Sequence, residues 1–249
     1  EIASSLQYLS PASADDSPNQ RLLPLTADVN EKDHLVVGGC DVVDLIEEFG
    51  SPLYILDEQT LRTACRQYKE AFERHYPGES LIVYASKAWN CLAVCAIAAQ
   101  EGVTIDVVSG GELRTAVDAG ANPANLYFHG NNKSLDELKL GLEHNVHVVV
   151  DNWHELKTLN AIANEAGKQA TILLRLTPGI ECHTHEYIQT GHIDSKFGFD
   201  PEQLEEVFDF ISKQGKSLNC VGLHAHIGSQ IFELQPHHDL AEVMVRWFQ

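Results

Sequence analysis

The stretch Leu81-Ile82-Val83-Tyr84-Ala85-Ser86-Lys87-Ala88-Trp89-Asn90, residues 81–90, decides how the rest of the chain is read. An apolar run ends in a polar turn, and a helical pattern follows from Asn90 to Gln100, so this is a strand-to-helix turn. A dinucleotide-binding sheet carries GxGxxG at its first such turn, because only glycine lets the backbone approach a pyrophosphate. Ser86-Lys87-Ala88-Trp89-Asn90 contains no glycine. A (β/α)8 barrel is therefore favoured over an open doubly wound sheet.

Outward from this turn the chain keeps a countable beat. Strands are predicted to begin near Leu81, Thr104, Leu126, His147, Thr171 and Asn219, and the first four spacings are 23, 22, 21 and 24 residues. Helical patterns over Asn90–Gln100, Glu112–Ala119, Leu135–Glu143, Trp153–Ala166 and Pro201–Lys213 fill the intervals. Ser134 with Glu137, Asn152 with Glu155 and Ser109 with Glu112 have capping-box spacing. Apolar strands alternating with amphipathic helices specify an α/β fold with parallel strands covered by helices. Six strands are present where a closed barrel needs eight, so the expectation is an incomplete barrel.

Before the barrel, residues 1–34 are rich in Ser, Pro, Ala, Asp and Asn and predict a poorly ordered extension. Order is expected from Leu35, with a strand at Leu35–Val37, a helix at Val42–Phe49, a break at Gly50-Ser51-Pro52 and a strand at Leu53–Leu56. A helix over Glu58–His75 then leads into the barrel, residues 58–249. The first residue is Glu1, the single Met is Met244, and the chain stops at Gln249 inside a helix-like run. These features predict a fragment, inactive alone because an unclosed barrel leaves two sheet edges unpaired.

Composition narrows the function. With 36 acidic against 17 basic residues the formal charge is −19, which repels phosphate backbones and excludes a nucleic-acid partner. No window approaches the ~18 consecutive apolar residues of a membrane helix. The six cysteines form no CxxC pair, as expected of a reduced, cytoplasmic chain.

Reactive side chains of a barrel come from the C-terminal ends of its strands. Those ends supply Lys87, Asp106 to Ser109, His129, Asp151, Arg175, and His224 with His226. If Leu81, Val83, Ala85 and Lys87 share the inward face, Lys87 closes an apolar row at the barrel mouth, where a desolvated amine becomes a nucleophile. A lysine that ends its strand and snorkels to water is the plain alternative. His224 and His226 share one face of the sixth strand and invite a zinc reading, but no early strand offers matching ligands, so no metal is expected. Beside them, His226-Ile227-Gly228-Ser229-Gln230 puts a glycine and a hydroxyl at a turn suited to holding phosphate. Pro178–Gly198 has no periodic pattern, as a lid loop would not.

At these residues the chain resembles a known family. Tyr84-Ala85-Ser86-Lys87-Ala88 resembles the cofactor-lysine motif of the fold-type III pyridoxal-phosphate decarboxylases, whose catalytic domain is an alanine-racemase-like (β/α)8 TIM barrel. His226-Ile227-Gly228-Ser229-Gln230 resembles the HIGSQ motif of the diaminopimelate decarboxylases in that family. Thr190-Gly191 followed by Ser195-Lys196-Phe197-Gly198 resembles their TG and KFG loop. The resemblance runs from about Leu35 to the end and implies pyridoxal 5'-phosphate as cofactor. It further implies that Lys87 forms the internal aldimine, that His226 stacks on the pyridine ring, and that Gly228 and Ser229 hold the phosphate. Asp106 and Arg175 would line the pocket, and His183, Thr190, Gly191 and Lys196 would belong to a loop closing over substrate. Residues 35–57 would be the N-terminal piece of a β domain whose C-terminal part lies beyond this chain. The implied reaction converts meso-2,6-diaminopimelate, a small-molecule amino acid, to L-lysine and CO2 in a cytoplasmic homodimer. Ornithine, arginine or another basic amino acid is the alternative substrate. A metal-dependent barrel hydrolase and a non-catalytic homologue are the readings from other classes.

Overall fold

A computed structural model describes residues 22–179 and 197–248. The chain divides into two compact units, one running to Ile82 and including Ile97–Val103, the other comprising Val83–Ala96 and everything from Thr104 onward.

In the first unit, β1 (Asp28–Val29), β2 (Leu35–Val37) and β3 (Cys40–Asp41) form a small antiparallel sheet in that order. Order therefore begins before Leu35, where composition had put it. The polar residues of the expected extension are used as side-chain ties: Asn30 Nδ2 donates to Asp41 Oδ2 at 2.7 Å, and Gly38 N donates to Thr26 Oγ1 at 2.8 Å. Helix α1 (Val42–Phe49) starts where the Asp41 carboxylate accepts from Val43 N, and stops at Gly50, whose φ of +83° a side chain would resist. The strand expected at Leu53–Leu56 does not form. These residues pair with no strand among the described residues, and Tyr54 is 94% exposed. Four apolar residues without a neighbouring edge have a strand's composition and no ladder.

Helix α2 (Glu58–His75) is capped by Asp57, which accepts from Thr60 N at 3.0 Å. One face of it turns three cations toward Glu101. Arg62 Nη1 and Arg66 Nε donate to the Glu101 carboxylate at 2.9 and 2.7 Å, and Lys69 Nζ donates to its carbonyl oxygen at 2.8 Å.

The second unit holds six parallel strands: β4 (Val83–Ala85), β5 (Thr104–Val107), β6 (Tyr127–Phe128), β7 (His147–Val150), β8 (Ala170–Leu176) and β9 (Leu218–Ala225). Each pairs with the next in sequence, so spatial order equals chain order. A doubly wound sheet reverses its order at a switch point; this one does not, and it is an arc of a β/α barrel.

Helices α3 (Leu92–Gln100), α4 (Gly110–Asp118), α5 (Leu135–His144), α6 (Trp153–Glu165), α7 (Leu204–Lys213) and α8 (Gln235–Trp247) follow the strands in turn. The first turn of the pattern expected from Pro201 is a 3₁₀ turn, Pro201–Gln203, which precedes α7. The core lies between the middle strands and their helices. Ile105, Val107, Phe128, Val150, Ile172 and Leu174 on the strands, and Leu113, Leu156 and Leu159 on the helices, are fully buried. Each such side chain is worth roughly 1.5–3 kcal/mol relative to exposure.

Candidate active site

The strand predicted from Leu81 through Lys87 is shorter than its apolar run. It ends at Ala85, and Ser86–Ala88 turn into a 3₁₀ helix that carries Lys87 at its centre. The row meant to bury the lysine is itself open, with Leu81 47% and Val83 41% exposed, and Lys87 is exposed rather than desolvated. What fixes the turn is Ser86, fully buried, whose hydroxyl donates to Glu112 Oε2 at 3.0 Å. The same oxygen accepts Val108 N at 2.8 Å, while Ser109 Oγ accepts Glu112 N at 3.2 Å. Glu112 therefore staples the turn after β4 to the turn after β5, instead of closing the capping box its spacing suggested. From that turn Lys87 Nζ donates to Ser229 Oγ at 3.0 Å, across 142 residues of chain.

Ser229 belongs to the turn after β9. Gly228 there has a φ of +134°, a conformation that an L side chain rarely adopts. Just before it stand the histidines. His224 packs edge-on against His129, with ring centroids 4.6 Å apart, and His129 Nε2 lies 3.4 Å from Asp106 Oδ2.

Electrostatics follow burial. Burial, then repulsion from Lys87 and Arg175, holds His226 at about 4, so it is neutral at pH 7. Burial first, then Arg175 and Lys133, takes His129 to about 3, and His224 is lowered by the same kind of surroundings. Burial pushes the Asp106 carboxyl up to about 6 although Lys87 pulls the other way.

Arg175 approaches from β8. Its Nη1 donates to Asp151 Oδ1 at 3.2 Å, and its guanidinium sits 4.6 Å from the centroid of the Phe197 ring. Asp151 Oδ2 accepts Gly198 N at 3.2 Å, and Phe199 N donates to Arg175 O at 2.8 Å. Gly198 has a φ of +81°, and a Cβ there would stand 3.0 Å from Arg175 O. Only glycine allows this approach.

Lys87, Asp106, Arg175, His226, Gly228 and Ser229 are thus all at the C-terminal ends of β4, β5, β8 and β9. His183, Thr190, Gly191 and Lys196, assigned to the substrate loop, lie outside the described residues. Among the described residues, no three His, Cys, Asp or Glu side chains gather as a metal site would require. Sequence reading missed Lys133, which is buried two residues beyond Asn131 and donates to Gly130 O, Val149 O and Glu155 Oε1 at 2.6, 2.9 and 2.7 Å. The only available signal was a lysine in the turn after the third strand, where His129 had drawn the reading. Glu155 was read as a box partner of Asn152. Asn152 does cap its N–H at 3.0 Å, but the carboxylate goes to Lys133.

A pyridoxal phosphate needs an amine, an anion cradle and polar partners for its ring. Lys87 and Ser229 provide the first two, facing each other. Asp106 Oδ1 and His224 Nδ1 are buried with no hydrogen-bond partner among the described residues, a costly state that a bound polar group would relieve. The residues fit the group.

The chain is similar to known proteins over most of its length. The family described as "Pyridoxal-dependent decarboxylase, pyridoxal binding domain" matches residues 58–249. A curated diaminopimelate decarboxylase of a Synechocystis species is 62% identical over 243 residues, covering 94% of this chain and 52% of its own length. One from Bacillus methanolicus is 46% identical over 211 residues, covering 84% of this chain and 48% of its own length. The crystal structure of diaminopimelate decarboxylase from M. jannaschii in complex with L-lysine superposes with a TM-score of 0.80 at 33% identity, covering 89% of this chain and 52% of that one. The chain spans about half the length of the curated relatives it matches.

Proposed function

The chain belongs to the pyridoxal-dependent decarboxylases through their pyridoxal-binding domain, and from that premise we propose that it carries the cofactor site of an enzyme converting meso-2,6-diaminopimelate to L-lysine and CO2. The observation that carries the reading is the 3.0 Å approach of Lys87 Nζ to Ser229 Oγ. It sets the amine of one motif against the hydroxyl of the other at the mouth of the sheet. The 62% identity to a curated diaminopimelate decarboxylase supports the choice of substrate.

Pyridoxal phosphate, when bound, supplies an electron sink for the pair left behind as CO2 departs. In this reading the protein's own groups do the rest. Lys87 offers the amine that anchors the cofactor. The Gly228 N–H and Ser229 hydroxyl hold its phosphate, and Lys87 and Arg175, the latter near the ring, give the pocket positive charge. His226, kept neutral by burial and by those two cations, presents a flat uncharged face for stacking. Asp106, raised by burial to about 6, can hold or release a proton near neutral pH.

The same reading, resting on the family resemblance, makes the enzyme a cytoplasmic homodimer. Its substrate is tested by supplying the purified full-length protein and pyridoxal phosphate with meso-diaminopimelate, ornithine and arginine in turn. Release of CO2 with L-lysine from the first alone is the expected result. Faster turnover of ornithine or arginine would transfer the assignment to a sister decarboxylase.

A further inference from the structure

Four charged residues, Lys133, Glu155, Asp151 and Arg175, form a continuous line that passes at one step through the Asp151 backbone N–H. Lys133 has three N–H donors and three acceptors, Gly130 O, Val149 O and Glu155 Oε1, so its ammonium is saturated. Its side chain is 1% exposed, and that of Glu155 4%. Through those acceptors it ties the ends of β6 and β7 to the first turn of α6. The second oxygen of Glu155 faces Asp151 N at 3.4 Å. Asp151, 2% exposed, then divides its carboxylate between Arg175 Nη1 and Gly198 N, each at 3.2 Å.

Two cations and two carboxylates balance, which is the condition for keeping four charges out of water. The far end of the line is Arg175, whose charge reaches His129, His224 and His226. An ammonium with every donor committed, and no donor aimed at the pocket, does no chemistry itself. Apart from its charge, which with that of Arg175 reaches His129 and His224, it acts through what it holds.

We propose that Lys133 is a positioning residue for the pocket: through Glu155 and Asp151 it fixes the Arg175 guanidinium and the Gly198 anchor beside β8. The proposal rests on the decarboxylase reading, because it is the cofactor pocket that Arg175 lines.

The test is a double-mutant cycle in the full-length protein, reading the apparent Kd for pyridoxal phosphate by absorbance titration, and KM and kcat separately. Lys133→Met is expected to weaken cofactor binding roughly tenfold, while in an Arg175→Lys background the same change has less than about a twofold effect, since contacting groups couple and independent ones add. Should Lys133→Met fail to fold, Lys133→Met/Glu155→Gln, which strands no carboxylate, serves in its place and is expected to show the same loss in cofactor binding.

Additive effects of Lys133 and Arg175, or full cofactor affinity in the folded Lys133→Met/Glu155→Gln protein, would overturn the proposal and leave Lys133 a stabilising residue alone. A wild-type protein that takes up no pyridoxal phosphate would overturn the decarboxylase reading instead, so the two failures are distinguishable.

Discussion

Two clusters in this chain use the same ingredients, lysine or arginine around a carboxylate, and reach opposite ends. Around Glu101, whose side chain is itself 9% exposed, Arg62 and Arg66 are 22% and 58% exposed, so water reaches the two guanidiniums. Around Glu155 and Asp151, Lys133 and Arg175 are 1% and 9% exposed. In the first cluster charge is added to a surface that would tolerate its loss. In the second each ion is held by its partners, because removing any one leaves another buried and unpaired. The Arg66 and Arg62 guanidiniums hold the Glu101 carboxyl at about 2. Burial instead raises the Glu155 carboxyl and lowers the Lys133 ammonium, each toward its neutral form. The pair survives because attraction and hydrogen bonds resist that drift.

The largest effect expected from breaking this contrast is at Glu155. Glu155→Ala strands Lys133 and should cost roughly 3–5 kcal/mol in urea unfolding, the range for removing one partner of a buried pair. A cost as small as that of a surface substitution would mean that the line of charges is not held as described.

Acid separates the regions next. His226 is held at about 4 against an ordinary 6.5, so the unfolded chain takes up the proton first. The stability it confers is complete above about 6.5 and is lost as pH falls toward 4. Glu101, at about 2 against an ordinary 4.5, keeps its contribution down to about 4.5 and loses it toward 2. Asp106 runs the other way: raised from 3.8 to about 6, it favours the folded state below 3.8 and no longer does so above 6. Replacing His226 by Gln should therefore reduce the slope of stability against pH between 6.5 and 4 by about one proton, leaving the lower limb unchanged. An unaltered slope would place that imidazole in water.

The smallest effect is expected at Arg66. Arg66→Ala should change stability far less than Glu155→Ala, and 1 M salt should abolish the difference from wild type, as it does for exposed pairs. A salt-resistant loss would show the two clusters to be more alike than their exposure says.

The repeating strands and helices were legible because burial on both faces demands continuous apolar runs, such as Val148-Val149-Val150 in β7 and Ile172-Leu173-Leu174 in β8. The turn at Ser86–Asn90 was legible through what it lacks. Less visible were features that depend on three-dimensional neighbours. Leu53–Leu56 has a strand's composition but no adjacent edge among the described residues, and the strand ending in Lys87 stops two residues early because Ser86 is pulled toward Glu112. The pairing of Lys133 with Glu155 was the deepest omission. Their 22-residue separation matches no local motif, and a charged residue in a sequence reads as surface until the fold buries it. The site residues near glycines were easier, since Gly228 and Gly198 mark backbone that only glycine accepts.

The central claim, that Lys87 and the Ser229 turn form a pyridoxal-phosphate site, is tested most directly by borohydride reduction of the full-length protein with the cofactor, followed by mass mapping of the labelled peptide. The account predicts a single cofactor adduct on Lys87, lost in Lys87→Ala and weakened in Ser229→Ala. An adduct on any other lysine, or none at all, would contradict it.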